Sequence, residues 1–75
     1  MLPVIGENRF ARLDPPAQEE LLRVLTSPSE VRAGVIRQMF ERPLTRGLAE
    51  ELMDLEADEV AHLRAIAELR AILGR

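Results

Sequence analysis

Prolines partition this chain. Pro15 and Pro16, Pro28 and Pro43 divide its 75 residues into short stretches. A proline inside a helix removes a hydrogen bond and clashes with the preceding turn, at about 3 kcal/mol. Any helices must therefore be short and must fall between these breaks. Within each stretch the apolar residues recur at helical spacing, and no alternating apolar–polar run long enough for a strand occurs. The pattern predicts an all-α fold: a compact bundle of about four short helices, preceded by an irregular N-terminal arm.

The first segment runs from Pro15 or Pro16 to about Thr26. Asp14 stands at the N-cap position and Pro15 at the first helical position, where its missing N–H is tolerated. Ala17, Leu21, Leu22, Val24 and Leu25 share one side, with Glu19, Glu20 and Arg23 on the other. The second segment spans about Ser29 to Arg42. Ser27 is expected to cap it, with Glu30 in capping-box spacing, and Val31, Val35, Ile36, Met39 and Phe40 form its apolar face. The third, from Thr45 as cap to about Asp54, turns Leu48, Ala49, Leu52 and Met53 inward. The fourth and strongest, from about Ala57 to Leu73, offers Val60, Leu63, Ile66, Ala67, Leu69 and Leu73, closed by Gly74 as a C-terminal cap. Residues 14–75 thus read as a single helical domain. Residues 1–13 form an arm whose Leu2, Val4, Ile5 and Phe10 lack helical spacing; it is expected to fold back over the core or to lie against a second copy, the second being the leading expectation.

Composition sets the limits on function. A chain of 75 residues makes one domain, and with no cysteine it has neither a disulfide framework nor a thiolate metal site. The apolar fraction of 47% is too high for a disordered chain. No apolar run approaches the ~18–20 residues of a membrane span, and Met1 to Gly6 lacks the basic region of a secretory signal. A soluble, cytoplasmic protein with no membrane partner is expected. An enzyme is not: Ser27 and Ser29 sit where capping is their natural role, tyrosine is absent, and the four glycines are too scattered to cradle phosphate. No cofactor is expected either.

Only 26 residues are Leu, Ile, Val, Met or Phe, two of them aromatic. A domain of this size buries only about 60% of its unfolded surface and gains from a partner. The fourth segment is apolar beyond its main face, through Ile72, Ala61, Ala65 and Ala71. The leading reading is therefore a small interaction module, regulator, adaptor or accessory subunit, docking through this C-terminal helix onto a copy of itself or another protein, most simply as a homodimer. Its anchors are expected to be Leu63, Ile66, Leu69 and Leu73, with Ile5 and Phe10 from the arm. Arg64, Glu68 and Arg70 form a charged rim that sets register.

Two alternatives rest on particular residues. Residues 44–66 have the outline of a helix-turn-helix, which sets a second helix into the major groove of DNA. Arg37, Arg46 and Arg64 would be its contacts, with Arg32 and Arg42 extending a basic stripe. Against it, no glycine follows Leu52, and Glu56, Asp58 and Glu59 would face phosphates in a chain of net charge −3 and pI about 5.1. The second alternative is Glu59-Val60-Ala61-His62, a Glu-x-x-His pair one turn apart, of the kind ferritin-like carboxylate proteins use to hold iron or manganese. On the wheel both residues fall in the apolar sector. A dimer would supply the second pair, with Glu20, Glu30 or Glu50 completing the ligands. The protein-docking reading leads because it needs only the amphipathic pattern itself.

Overall fold

In the computed structural model, which describes residues 9–75, the proline breaks separate four helices: α1 (Pro15–Leu25), α2 (Ser29–Phe40), α3 (Arg46–Glu56) and α4 (Glu59–Leu73). The fold is an all-α bundle. The α1 helix lies mainly along α4, and α2 lies along α3. The α3–α4 contact and smaller contacts of α1 with α2 and α3 join the two pairs. Among the described residues no helix is long and apolar enough to cross a membrane.

Helix ends leave up to four backbone carbonyls without partners, and the end of α1 shows where each one goes. Thr26 donates to the Leu22 carbonyl from its backbone N–H at 3.0 Å and from Oγ1 at 2.8 Å. Ser27 Oγ donates to the Arg23 carbonyl at 2.7 Å, and Ser27 N–H to that of Val24 at 3.1 Å. Ser27 thus closes α1 and does not cap α2, contrary to the sequence expectation. The N-cap position of α2 is Pro28, which has no side-chain donor or acceptor to offer. Thr45 behaves in the same way. Its Oγ1 donates back to the Met39 carbonyl at 2.7 Å, and no side-chain cap opens α3. A hydroxyl between two helices serves whichever end presents the closer unmet group. Only Asp58 opens a helix as an N-cap, its Oδ1 accepting from the N–H groups of Val60 and Ala61 at 2.9 and 3.4 Å. Gly74 ends α4 at φ +73°, the left-handed conformation glycine adopts without strain.

The core gathers Phe10, Leu21, Leu22, Val24, Leu25, Ile36, Met39, Ala49, Leu52, Leu55, Ala65 and Leu69. The sequence places the inward faces of α1 and most of α2 correctly, but misassigns positions on α3 and α4. Met53 is 53% exposed, and Leu55 takes the inward place in a helix that runs two residues further than the spacing suggested. Val31, Val60 and Leu63 are likewise half or more exposed. The α4 helix turns Ala65 and Leu69 fully inward, flanked by partly buried Ala61 and Ile72. Small residues on that side let the axes of α1 and α4 approach closely.

The arm expectation also changes. Phe10 is 1% exposed and folds back onto the helices, so the part of the arm that is described belongs to the domain. Its carbonyl accepts from Leu13 N–H at 3.1 Å and from the buried Gln18 Nε2 at 2.9 Å. Arg9 lies over the Phe10 ring, 5.3 Å from its centroid, and pairs with Glu51 of α3 at 2.6 Å. Phe10 is almost wholly covered by its own chain, so it supplies no docking anchor. Ile5 lies outside the described residues. Phe10→Ala is expected to remove about 3–4 kcal/mol of stability, enough to leave most of so small a domain unfolded. Urea unfolding followed by circular dichroism measures this, and a loss below about 1 kcal/mol would remove Phe10 from the core.

Candidate interaction surface

The buried end of α1 fixes how α4 is presented. After Thr26 and Ser27 have met three of the four carbonyls, that of Leu25 remains, in a residue only 1% exposed. It accepts from Arg32 NH1 of α2 at 3.1 Å and from His62 Nε2 of α4 at 2.8 Å. A carbonyl only accepts, so His62 Nε2 carries the proton. Arg32 also donates to the Ser27 carbonyl at 3.0 Å, and its Nε lies 3.2 Å from Glu56 Oε1 at the end of α3. The Arg32 and Glu56 side chains are both largely shielded, so this charge pair is less screened than the others. One carbonyl thereby ties together α1, α2 and α4, and Arg32 extends the link to α3.

This junction accounts for the Glu59–His62 pair. His62 is half-buried, with Nε2 engaged by the Leu25 carbonyl and so not available to a metal. Glu59 is exposed, not in the apolar sector where the wheel placed it, because α4 is rotated towards its alanine side. Among the described residues no three or more His, Cys, Asp or Glu side chains come together to hold a metal ion. Glu20, Glu30 and Glu50 are not gathered with the pair. Glu20 instead pairs with Arg23 on the surface of α1, raising the Arg23 pKa through their hydrogen bond and then through its charge. Exposed pairs of this kind add little to stability.

The arginines of the nucleic-acid reading do not form one stripe. Arg32 is drawn into the junction, and Arg46 Nε donates to the Phe40 carbonyl at 3.1 Å, closing α2. Arg37 borders a groove between α2 and α3, and Arg64 is exposed on α4. The turn between α3 and α4 holds only Ala57 and Asp58.

The expected docking anchors separate into two groups. Leu69 is completely enclosed by its own chain, and Ile66 and Leu73 are partly buried against the core, so Leu69 supplies no outward surface and the other two supply little. They are held inside because α4 needs them there to cover α1. Leu63 remains 60% exposed, and Val60, three residues before it on the same face, is 62% exposed. Ala67 and Ala71 continue this outward stripe, and Glu59, Arg64 and Arg70 are exposed beside it. Two further apolar features were not singled out by sequence reasoning. One is the groove of about 480 Å³ lined by Ala33, Ile36, Phe40, Met53 and Ala57, with Arg37 and Glu56 at its edges. The other is Leu44, 96% exposed beside a hollow that Phe10, Leu13 and Leu48 help to line. A leucine lodged between Pro43 and Thr45, outside any helical stripe, was the available signal for it.

No protein family, curated protein or solved structure matches this chain.

Arg32→Met keeps the length and apolar stem of the side chain while removing both carbonyl contacts and the charge opposite Glu56. It is expected to lower unfolding free energy by about 2 kcal/mol. His62→Ala is expected to cost about 1 kcal/mol, for one neutral hydrogen bond. Urea unfolding of both variants tests the junction: equal and negligible losses would show that it does not hold the helices.

Proposed function

We propose that this chain is a small helical interaction module that docks through the outer face of α4, onto a copy of itself or onto a helix of another protein. The observation that carries this reading is the pair Val60 and Leu63, each about three-fifths exposed on one face of a helix whose opposite face is already committed to the core. Scattered exposed leucines are ordinary on a protein surface. Two aliphatic side chains in line, followed by alanines and edged by charges, form a ridge that fits an apolar groove or a matching helix. The partly open α2–α3 groove gives the domain a second apolar surface of the same character.

The helix-turn-helix alternative has less support. A recognition helix needs polar side chains on its outer face to reach base edges, whereas α4 presents Val60, Leu63 and Ala67 there. Its leading end is acidic, through Asp58 and Glu59, where phosphates would lie.

Leu63→Asp tests the reading without disturbing the core. The side chain is mostly in water, so unfolding free energy is expected to change by less than about 1 kcal/mol. Leu69→Asp, by contrast, is expected to unfold the domain. A photoreactive amino acid at position 63 in cells expressing the full chain is expected to yield a defined cross-linked species, and Val60→Asp in the same chain to abolish it. The absence of any adduct at position 63, with the domain folded, would overturn the docking reading.

A further inference from the structure

Resting on the docking reading above, we propose that the outer face of α4 is covered by the same face of a second copy, turned antiparallel about a two-fold axis close to Leu63. The charges beside the stripe are self-complementary in this arrangement, which favours a second copy as the occupant. Glu59 and Arg70 are eleven residues apart, which at 100° per residue returns them to within about 20° of one another on the helix. They therefore flank the same edge of the Val60–Leu63–Ala67 stripe, one near each end. Both are exposed, and neither side chain has a charged partner of its own chain among the described residues. The remaining ion pairs of α1, α3 and the chain end are already made: Arg9 with Glu51, Arg23 with Glu20, and Arg75 with Glu19.

In a parallel pair related by a two-fold axis, the edge carrying Glu59 and Arg70 lies across from the Arg64 edge of the second copy, so Glu59 and Arg70 do not meet each other. In the antiparallel pair each Glu59 falls within about one turn of Arg70 of the second copy, and the symmetry makes this contact twice. The apolar stripe fits the same direction. With the axis near Leu63, the two Leu63 side chains pack against each other, and each Val60 lies over Ala67 of the second copy. Large over small allows close approach of the axes. Arg64, near the axis on the opposite edge, has a stem long enough to turn its charge into water. Antiparallel helix dipoles add a small favourable contribution. Such an isologous contact closes on itself and produces a dimer, not a fibre. One helix face a side lies at the small end of specific interfaces, below about 1,200 Å² in total, so association is expected in the micromolar to hundred-micromolar range.

Charge exchange reads both the occupant and the direction. Sedimentation of the full chain at low salt would compare the natural sequence with Glu59→Arg, Arg70→Glu, the double exchange and Leu63→Asp. Each single exchange replaces two attractions with two repulsions and is expected to weaken dimerisation about tenfold or more. The double exchange is expected to recover to within about threefold. An equimolar mixture of the two single variants is expected to associate where neither does alone. Any helix-dipole cost of placing arginine at position 59 is shared by the double variant, so its recovery separates an interface effect from a folding effect. Single exchanges that leave the dimer unchanged while Leu63→Asp abolishes it would overturn the antiparallel direction and leave the docking reading intact. A monomer at all concentrations, together with an adduct at position 63 to a different protein, would overturn the second copy alone. A monomer with no adduct would overturn both.

Discussion

The carbonyl of Leu25 is the point on which the rest of the bundle depends. It is the last acceptor of α1, it is buried, and no residue of α1 or of the Thr26–Ser27 turn reaches it. A buried carbonyl without a donor costs about 1–3 kcal/mol, a large fraction of what so small a domain can hold. Arg32 and His62 meet it from two different helices, and Arg32 then neutralises Glu56 at the end of a third. The helices are short and joined by tight turns, so satisfying this one group settles how all four ends come together.

That constraint explains the rotation of α4. The helix is apolar around most of its circumference, and on hydrophobicity alone either side could face α1. Turning His62 towards Leu25 brings Ala61, Ala65 and Leu69 against the core and sends Val60 and Leu63 outward. The alanines among the inward residues allow the close approach, and Val60 and Leu63 are left on the surface. The exposed ridge is thus a consequence of how the inside is tied, while Asp58 and Gly74 close the two ends of the helix.

The small core also explains the return of the N-terminal arm. With only two aromatic residues in the chain, leaving Phe10 in water would forgo one of the largest apolar side chains. Gln18 is buried in order to hold the Phe10 carbonyl, and Arg9 binds the same turn to α3. Phe10 lies outside any helix and Arg9 reaches Glu51 across 42 residues, so no periodicity announces the arrangement.

Local chemistry alone determined a good deal here. The prolines and the terminal glycine set roughly where helices begin and end. The apolar rows of α1 and most of α2 face inward as their spacing requires, because each of those helices has one apolar side and one polar side. Tertiary structure decided the remainder. Ser27 and Thr45 each stood between two helix ends, and only the distances in the folded chain chose the carbonyl behind over the amides ahead. Met53 gave its inward place to Leu55, and Leu69 went inside while Leu63 stayed out, because a helix with two apolar sides takes its orientation from contacts far along the chain. Spacing records which residues share a face. It carries no information about which of two apolar faces a distant carbonyl will turn inward.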